Sequence, residues 1–467
     1  MANDPSTVSH AVEEMRDSWE LVEALLGGTC EMREEGEKYL PRFPKEDAND
    51  YKRRLQASTL LPAYAETIQN NTGRVFAEPI TIGDDVPESI ATLIENIDQQ
   101  GNNLQVWARR FFHDGLAYGL SFALVDFPRA EGIRTQADEI RLGVRPYVVT
   151  IEPEQVLGWK TVEANGSIQL SQFRYKEAVE EQDPENIFST VCIEQIRVLE
   201  PGLWQVYRKV KGDDGKEKWA LYDEGKTTLD KIPLVVFYTK RTGFMTATPP
   251  LLELAHLNVK HWQSQSDQDN VLHIARVPIM VRIGAVQQYG EDGKPVPLEF
   301  QVGGALNDLP KDGDMKYVEH SGKAIEAGRQ SLLDLEDQMR MAGAKLLQKE
   351  KQATKTAAQA EEEAAQELSP LQMMAACLED AIDQILQLMA EWTRAGEGGH
   401  VEVHGNFDVD YAPETTLPLL KSMTDAGYLS EETLFREVQR RGVISGDLTW
   451  EDESGRITSQ PPRLGAL

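Results

Sequence analysis

The chain has 467 residues, of which 40% are hydrophobic and 27% charged, so it can bury a core and is not disordered throughout. Its 77 acidic and 48 basic residues give a formal net charge of −29, which argues against an open DNA-binding surface because affinity for phosphates comes mainly from clustered Lys and Arg. No apolar run is long enough to span a membrane, no secretory signal is expected, and the three cysteines form no CxxC pair, which excludes a disulfide framework or zinc finger.

The first 120 residues are predicted to be mainly helical. Apolar residues spaced by three or four predict a helix over residues 8–26 and a second one over about 47–72, in which Pro62 is expected to bend the chain. A third helix is predicted over 104–116, ending near Gly115. This part of the chain therefore offers amphipathic helices that need another layer to pack against.

The hydrophobic pattern changes near residue 120, where short runs rich in β-branched and aromatic residues begin. Asn165-Gly166 and Asp214-Gly215 lie between such runs and suit the tight turns of β-hairpins, which need positive φ. The predicted strands are 121–125, 147–156, 168–175, 191–199, 203–210, 219–222 and 234–238. The block from about 120 to 240 is therefore predicted to be a mainly antiparallel sheet that packs against the earlier helices.

Two long helices of nearly equal length are predicted on either side of a small β insert. The first is expected to begin at Thr248-Pro249 and to reach residue 275, and the second spans about 322–348. The first helix has no apolar residue from Gln263 to Asn270, and a segment that is polar on every side either lies between other chains or is not a helix. The pair suggests a stalk with a β cap, packed against neighbouring subunits.

The remainder of the chain alternates between low-complexity and strongly patterned segments. The region after the second long helix is rich in Lys, then in Glu, with little to bury. Ser369-Pro370-Leu371-Gln372 has the form of a capping box, and apolar residues step by three and four from Leu371 to Trp392. A strand at 401–411, helices at about 416–426 and 431–441, and a polar tail from Thr449 are expected to follow.

One cluster could be interpreted as a metal site. His400, Glu402 and His404 alternate along a predicted strand and would share one face, with Asp408 and Asp410 further along. The spacing differs from the helical His-Glu-x-x-His motif, and a solvated strand face explains these residues better than a metal site does. Because the chain also lacks GxSxG, GxGxxG and P-loop motifs, we predict a protein that is not an enzyme and has no cofactor.

Lys345, Lys349, Lys351 and Lys355 form a basic island in this acidic chain. One interpretation is a solvated helical face. The other is a loop that presents positive charge to a polyanion through weak, salt-sensitive contacts, which would suit something that DNA must slide past.

In order of elements, the chain resembles the portal proteins of tailed bacteriophages, the head–tail connectors through which the genome is packaged. The resemblance covers about residues 10–455. It depends on the order of two long helices with a β insert between them, and on short sequence segments before and after these helices. The segments are 73–80, 112–126, 147–159, 232–237, 426–430 and 440–444. None of these segments is diagnostic alone, but their order over more than 400 residues is specific for this family.

The resemblance implies an α+β portal fold with named parts. Residues 1–247 would form the wing, 248–275 and 323–348 the stem helices, and 276–322 the clip. Residues 349–369 would include the tunnel loop, 370–414 the long wing helix and return strand, and 415–467 a short crown and tail. The four lysines would lie at the DNA channel, and the clip residues Arg282, Asp292, Lys294 and Glu299 would be candidates for docking partner proteins.

The resemblance also implies partners and a location. Portal proteins form a homo-oligomeric ring, usually of twelve subunits, around a channel for double-stranded DNA. They bind the terminase large subunit, head-completion or adaptor proteins, and the major capsid and scaffolding proteins. The expected location is the capsid portal vertex of a virion, with assembly in the host cytoplasm and no membrane. Two alternatives stay open: a metal-dependent hydrolase built on residues 400–410, and a coiled-coil scaffold or adaptor built on 323–394.

Overall fold

The structure is a computed structural model of the chain. It describes residues 4–128, 144–164, 166–184, 186–211, 215, 217–276, 279–283, 313–318, 323–347, 368–407, 413–440, 444 and 448–459. The chain divides into two compact units. The first contains residues 1–16, 68–250 and 344–467, and the second contains residues 17–67 and 251–343. The predicted division into wing, stem, clip and crown stays a prediction.

Helices and strands both contribute substantially, which agrees with the predicted α+β class. The helices are α1 His10–Leu26, α2 Gly28–Glu35, α3 Ala48–Ala57, α4 Ala63–Val75, α5 Glu88–Ile94, α6 Leu104–Tyr118, α7 Leu252–Ala275, α8 Lys323–Ala344, α9 Pro370–Thr393, α10 Pro413–Asp425, α11 Glu431–Arg440 and α12 Trp450–Ser459. The strands are β1 Thr81–Ile82, β2 Leu120–Asp126, β3 Tyr147–Ile151, β4 Val156–Ala164, β5 Ser167–Gln182, β6 Thr190–Glu200, β7 Leu203–Lys211, β8 Glu217–Lys226, β9 Leu234–Tyr238, β10 Arg241–Gly243, β11 Thr246–Ala247, β12 Ile279–Ile283, β13 Asp314–Val318 and β14 Val401–Glu402.

A three-stranded antiparallel sheet lies at the centre of the first unit, in the order β3-β2-β9. Residues 120–125 of β2 are all buried, so both faces of this strand are covered. Helices α6 and α9 both contact the sheet. The ring of Phe237 lies 5.6 Å from the rings of both Phe111 and Phe112, which places aromatic packing between β9 and α6.

The turn from α6 into β2 depends on Gly119. This residue has φ +93°, and its N–H donates to the carbonyl of Gly115 at 2.9 Å, which ends the helix. A Cβ at this position would lie 2.6 Å from the backbone C and O of Thr248. The helix therefore ends at Gly119, not near Gly115 as predicted. Thr248 lies outside α7, which begins at Leu252 and not at the predicted Thr248-Pro249, and its N–H donates to the carbonyl of Lys240 at 3.1 Å.

Replacing Gly119 by Ala is expected to lower the free energy of unfolding by more than about 2 kcal/mol, because positive φ and the close backbone approach both oppose a side chain. The control is Gly73→Ala in α4, where an added Cβ would meet no atom within 4 Å. That change should be neutral or stabilise the chain by up to about 1 kcal/mol. Urea unfolding of both variants measures the difference, and equal effects would contradict this account of the turn.

A second, five-stranded antiparallel sheet follows the chain from β4 to β8 without a crossover. This confirms the predicted antiparallel region, and Gly166 and Gly215 adopt the positive φ expected of the turns. The guanidinium of Arg197 on β6 pairs with Asp126 on β2 at 2.8 Å, and both side chains are largely buried. This ion pair links the two sheets of the first unit.

The hairpin β5–β6 extends further than its sequence pattern predicts. Its pairing continues from Phe173 opposite Leu199 to Gln182 opposite Thr190. No residue in 176–182 or 190–194 is buried. The predicted strand 168–175 stops short because this part of the hairpin packs against no core, so its residues carry no alternating apolar signal.

Helix α9 begins as predicted. Ser369 Oγ accepts from the N–H of Gln372 at 3.3 Å, while Gln372 Oε1 accepts from the N–H of Ser369 at 2.8 Å. Its apolar face is buried in the first unit, and Trp392 Nε1 donates to the carbonyl of Val125 at 3.3 Å. Since that face is already covered, the structure disfavours the alternative of a coiled-coil scaffold built on 323–394.

Two predictions about helix boundaries are wrong in detail. The continuous helix expected over 47–72 is interrupted between Ala57 and Ala63, because Pro62 lacks an N–H and disfavours helical backbone at the residue before it. The tail from Thr449 contains helix α12, whose first turn is capped by Thr449 Oγ1 accepting from the N–H of Asp452 at 3.2 Å. The polar composition of the tail concealed this short helix.

Candidate functional site

The two long helices of the second unit, α7 and α8, run antiparallel and touch at three levels. A Cβ on Gly343 would lie 3.8 Å from Leu254, His261 Nε2 lies 3.7 Å from Glu336 Oε1, and Gln268 Nε2 donates to the carbonyl of Ile325 at 2.9 Å. At about 1.5 Å per residue, Leu254 and Gln268 are about 21 Å apart along α7. The helices have 24 and 22 residues, close to the equal lengths predicted.

A strand pair joins the ends of these helices. β12 and β13 are antiparallel, with Ile279 opposite Val318 nearest the helices and Ile283 opposite Asp314 at the other end. The base of the strand pair therefore lies where α7 ends and where α8 begins. The predicted turn at Asp292-Gly293 and the predicted strand at 298–302 lie outside the described residues.

The polar residues of α7 are used inside the second unit. Asn258 is buried, with Oδ1 accepting from the N–H of Tyr64 at 2.9 Å and Nδ2 donating to the carbonyl of Leu61 at 2.8 Å. Gln263 Nε2 donates to the carbonyl of Tyr39 at 2.7 Å. Gln263 of the polar stretch 263–270 therefore satisfies a backbone group inside the unit. Asp267 and Asp269 are exposed, so a neighbouring chain on that side of α7 stays a prediction.

A buried ion pair lies beside the same helix. Two of the three guanidinium nitrogens of Arg54, Nε and Nη2, donate to the carboxylate of Glu46 at 2.8 Å. The side chain of Arg54 is 5% exposed and that of Glu46 is 8% exposed. The guanidinium also lies 4.1 Å from the ring centroid of Phe43, and Nη1 reaches Ser266 of α7 at 3.4 Å. The hydrogen bonds from Arg54 hold the pKa of Glu46 below its usual value.

Replacing Glu46 by Gln is expected to cost about 3 kcal/mol at pH 7, because it leaves the Arg54 charge buried without its carboxylate. Since the folded-state pKa of Glu46 is depressed, its contribution is complete above the unfolded-state value near 4.5 and is lost as the pH falls through the folded-state pKa. The difference in urea stability between wild type and variant should therefore shrink toward pH 3.

The matched control is Asp50→Asn, which removes the partner of Arg53 in an ion pair that is exposed on both sides. That change should alter stability by less than about 1 kcal/mol at either pH. A Glu46→Gln variant as stable as wild type at pH 7 would show that the buried pair does not secure the fold.

His261 lies buried in the middle of the helix pair. Burial lowers its pKa, although the carboxylate of Glu336 opposes the shift. Neither ring nitrogen has a hydrogen-bond partner in the part of the chain that the structure describes. The neutral imidazole therefore serves as packing between α7 and α8. His256 is exposed, so the two histidines do not converge on a common ligand.

The structure describes only part of the predicted DNA-contacting and docking set. Lys345 is exposed in a 3-10 turn, Lys345–Leu347, immediately after α8. Arg282 lies on β12 opposite Met315. The other predicted residues, Lys349, Lys351, Lys355, Asp292, Lys294 and Glu299, lie outside the described residues, so these assignments stay predictions.

The 400–404 cluster separates into two pairs. The side chains of 400, 402 and 404 are exposed while 401 and 403 are buried, as the strand pattern predicted. However, His400 Nδ1 pairs with Asp85 Oδ1 at 2.7 Å, and His404 Nε2 lies 3.3 Å from Glu402 Oε2. Among the described residues, no three His, Cys, Asp or Glu side chains could hold a metal ion together. Asp408 and Asp410 lie outside them, and nothing supports the hydrolase alternative.

Sequence reasoning missed the polar residues that fasten α7 to the earlier helices. Asn258 and Ser266 are buried, and Asn258 is spaced by three and four residues from the buried Ala255 and Trp262. A polar side chain in register with an apolar stripe is the signal that could have identified them, since such a residue must be hydrogen-bonded once buried.

An open groove of about 820 Å³ lies in the second unit, beside the last turns of α7. Its lining combines apolar groups with a predominantly basic set of side chains. The residues are Phe43, Pro44, Lys45, Glu46, Asp50, Arg53, Arg54, Ala57, Ser58, Ser266, Asp269, Asn270, Leu272, His273 and Arg276. Within the described ranges, no helix is long and apolar enough to cross a membrane.

Comparison with known proteins gives one family match. A family described as a domain of unknown function, DUF4055, matches residues 250–393, a range that contains α7, the strand pair, α8 and α9. This is less than half of the chain. No curated protein is significantly similar to the sequence.

Among solved structures, chains of gene transfer agent particles are similar to this one. A virion of a native gene transfer agent particle contains a chain with 13% identity and a TM-score of 0.37, covering 81% of this chain and 88% of that one. A chain in the neck of an empty particle, computed with C6 symmetry, has 13% sequence identity and a TM-score of 0.38. A chain in the neck of a native particle, computed with C12 symmetry, has 12% identity and a TM-score of 0.36. Each match covers 80% of this chain and 88% of the other. Scores below 0.5 do not establish a shared fold, so the functional argument depends on the residues of this chain.

Proposed function

We propose that this protein is the subunit of a ring-shaped portal at the capsid vertex of a tailed phage or phage-like particle, through which double-stranded DNA is packaged and ejected. The observation that carries the proposal is the antiparallel pair α7 and α8, with the strand pair β12–β13 between them in the sequence. In this proposal the helix pair is the stem and the strand pair is the base of the clip. The wing, tunnel-loop and crown assignments are those implied by the sequence resemblance.

The exposed side of α8 supports packing against neighbours. Its buried residues, Leu332, Leu335 and Met339, recur at spacings of three and four, so one stripe of the helix is covered. On the remaining surface, Leu333 is 42% exposed and Met341 is 62% exposed. Copies standing side by side would cover these two apolar side chains, which a lone helix pair leaves in water.

The charge of the chain suits a passage through which DNA moves without adhering. Twelve copies, each with a net charge of −29, would carry a total charge of roughly −350. Such a ring would strongly repel a polyanion unless Lys and Arg side chains were gathered along the channel. The basic island from Lys345 to Lys355 is the proposed exception. Contacts from a few lysines per subunit would be weak and salt-sensitive, which permits sliding.

We expect the purified chain to assemble into a ring of about a dozen subunits with a central hole, because the helix pair needs lateral neighbours. Native mass spectrometry gives the copy number, and class averages of electron images show whether a hole is present. A compact monomer at concentrations up to about 100 µM would rule out the proposal, since subunits of stable assemblies associate well below that concentration.

Replacing Lys349, Lys351 and Lys355 together by Ala is expected to leave the ring intact and to change DNA packaging or retention, because only charge presented to DNA is lost. Packaged DNA per particle and its release at increasing salt measure the effect. The control removes three lysines that are exposed elsewhere, Lys52, Lys226 and Lys240. Equal effects of both triple variants, or loss of folding in the first, would show that the island has no specific role.

The proposal includes protein partners. The terminase large subunit and the head-completion or adaptor protein would dock at the clip, where Arg282, Asp292, Lys294 and Glu299 are the candidate contacts. The major capsid and scaffolding proteins would surround the ring, and the chain would act without catalysis or a cofactor. Assembly would take place in the host cytoplasm before the ring becomes part of the virion.

A further inference from the structure

The tip of hairpin β5–β6 presents two apolar side chains on an ordered turn. Phe188 is 92% exposed and Ile187 is 78% exposed. The turn is held by Ser189 Oγ donating to Asp183 Oδ2 at 2.7 Å and by the N–H of Phe188 donating to Asn186 Oδ1 at 3.1 Å. A turn held in one conformation with its largest apolar side chains in water is preorganised for a contact outside its own chain.

The tip also carries a concentrated negative charge. Between residues 177 and 196 there is no Lys or Arg. The described acidic residues in this range are Glu177, Glu180, Glu181, Asp183 and Glu194. Arg208 pairs with Glu181 and Lys209 pairs with Glu194, and the segment 177–196 itself is acidic because it contains no Lys or Arg. A partner should therefore offer an apolar floor with a basic rim.

The groove beside the end of α7 has this chemistry. Phe43, Pro44, Ala57 and Leu272 give it apolar walls. Its acids are already engaged: Glu46 by Arg54, Asp50 by Arg53 at 3.6 Å, and Asp269 by Gln265 at 2.9 Å. Lys45 and Arg276 line the groove and form no ion pair with any described residue. The lining has four Lys or Arg side chains and three carboxylates, and the hydrogen bond from Gln265 leaves the charge of Asp269 in place, so the groove is basic by a single charge.

We propose that the β5–β6 tip of one copy inserts Ile187 and Phe188 into this groove of the next copy. Copies with a net charge of −29 repel one another, so a stable contact must bring opposite local charges together, as this pairing does. Since the tip and the groove are different surfaces of one chain, the contact is head-to-tail, which is the type that closes a ring. The inference rests on the proposed ring and identifies one contact within it.

Removing the apolar tip tests the contact. Ile187→Ser with Phe188→Ser should weaken association of copies by at least about tenfold, because buried aromatic side chains dominate interface energies. Folding should be unaffected at positions so exposed, which circular dichroism and the urea midpoint check. The control is Ile168→Ser, which removes an apolar side chain, 55% exposed, near the opposite end of β5 and should leave association unchanged.

Crosslinking tests the pairing itself. In a chain whose Cys30, Cys192 and Cys377 are replaced by Ser, Ile187→Cys on the tip and Ala57→Cys in the groove should together give a ladder of covalent oligomers with a short bismaleimide. Neither single variant should give more than a dimer, because each leaves only one reactive position per copy. The charge reversals Lys45→Glu with Arg276→Glu should suppress the ladder.

The outcomes separate this contact from the proposed function. Wild-type rings that persist in the Ser variants, with no ladder from the double-cysteine chain, would overturn the contact and leave the portal proposal standing. A wild-type chain that stays monomeric would overturn both. A ladder whose formation requires both cysteines and the basic rim would establish the contact.

Discussion

The structure of the second unit depends on satisfying polar groups that α7 carries into its interior. Asn258 closes two backbone hydrogen bonds at the start of α4, while Ser266 meets Ser58 and Arg54 near the end of α3. Leaving such groups buried and unpaired costs about 1–3 kcal/mol each, and more for a charge. A shift of α7 along its axis would break these bonds together. The polar residues therefore fix the position of the helix, which apolar packing alone would specify less sharply.

The fixed position of α7 determines where α8 and the strand pair lie within this unit. The contacts of α7 with α8 recur every seven residues along α7, at Leu254, His261 and Gln268. The strand pair then begins within a few residues of the helix ends. Three contacts between α7 and α8 thus fix the helix pair whose ends are connected in sequence to β12 and β13. The proposed portal function requires such a support, since a docking element must stand in the same place in every copy.

Much of the fold could be predicted from periodicity and turn chemistry. Features that depend on neighbouring residues could be predicted from the sequence alone. They are the apolar spacing of α1 and α9, the Ser369 capping box and the turn residues of the β-hairpins. Tertiary information was harder to obtain. The register of Asn258 with the apolar stripe of α7 indicates that this side chain is buried, but it does not show which backbone groups of earlier helices it bonds. Residues 176–182 of β5 were missed for the opposite reason, because a strand that packs against no core shows no alternation.

The candidate site was only partly predictable for related reasons. The length of the two helices is a property of each segment and could be predicted. The Arg54–Glu46 pair joins α3 to the segment before it across eight residues, a separation that matches no helical spacing. The resemblance to portal proteins supplied roles for residues such as Arg282 and Lys345. The structure adds their backbone setting on β12 and after α8.

The pairing of β12 with β13 has a mechanical consequence. Both strands are joined to the helices at the same end, where Ile279 lies opposite Val318. A pull along the strand axis, away from that end, therefore loads two covalent backbones in parallel and does not slide one strand past the other. A sideways pull on one strand would instead open the ladder one hydrogen bond at a time. The strand pair should therefore be stiff toward a force along the strand axis and compliant toward a force across it.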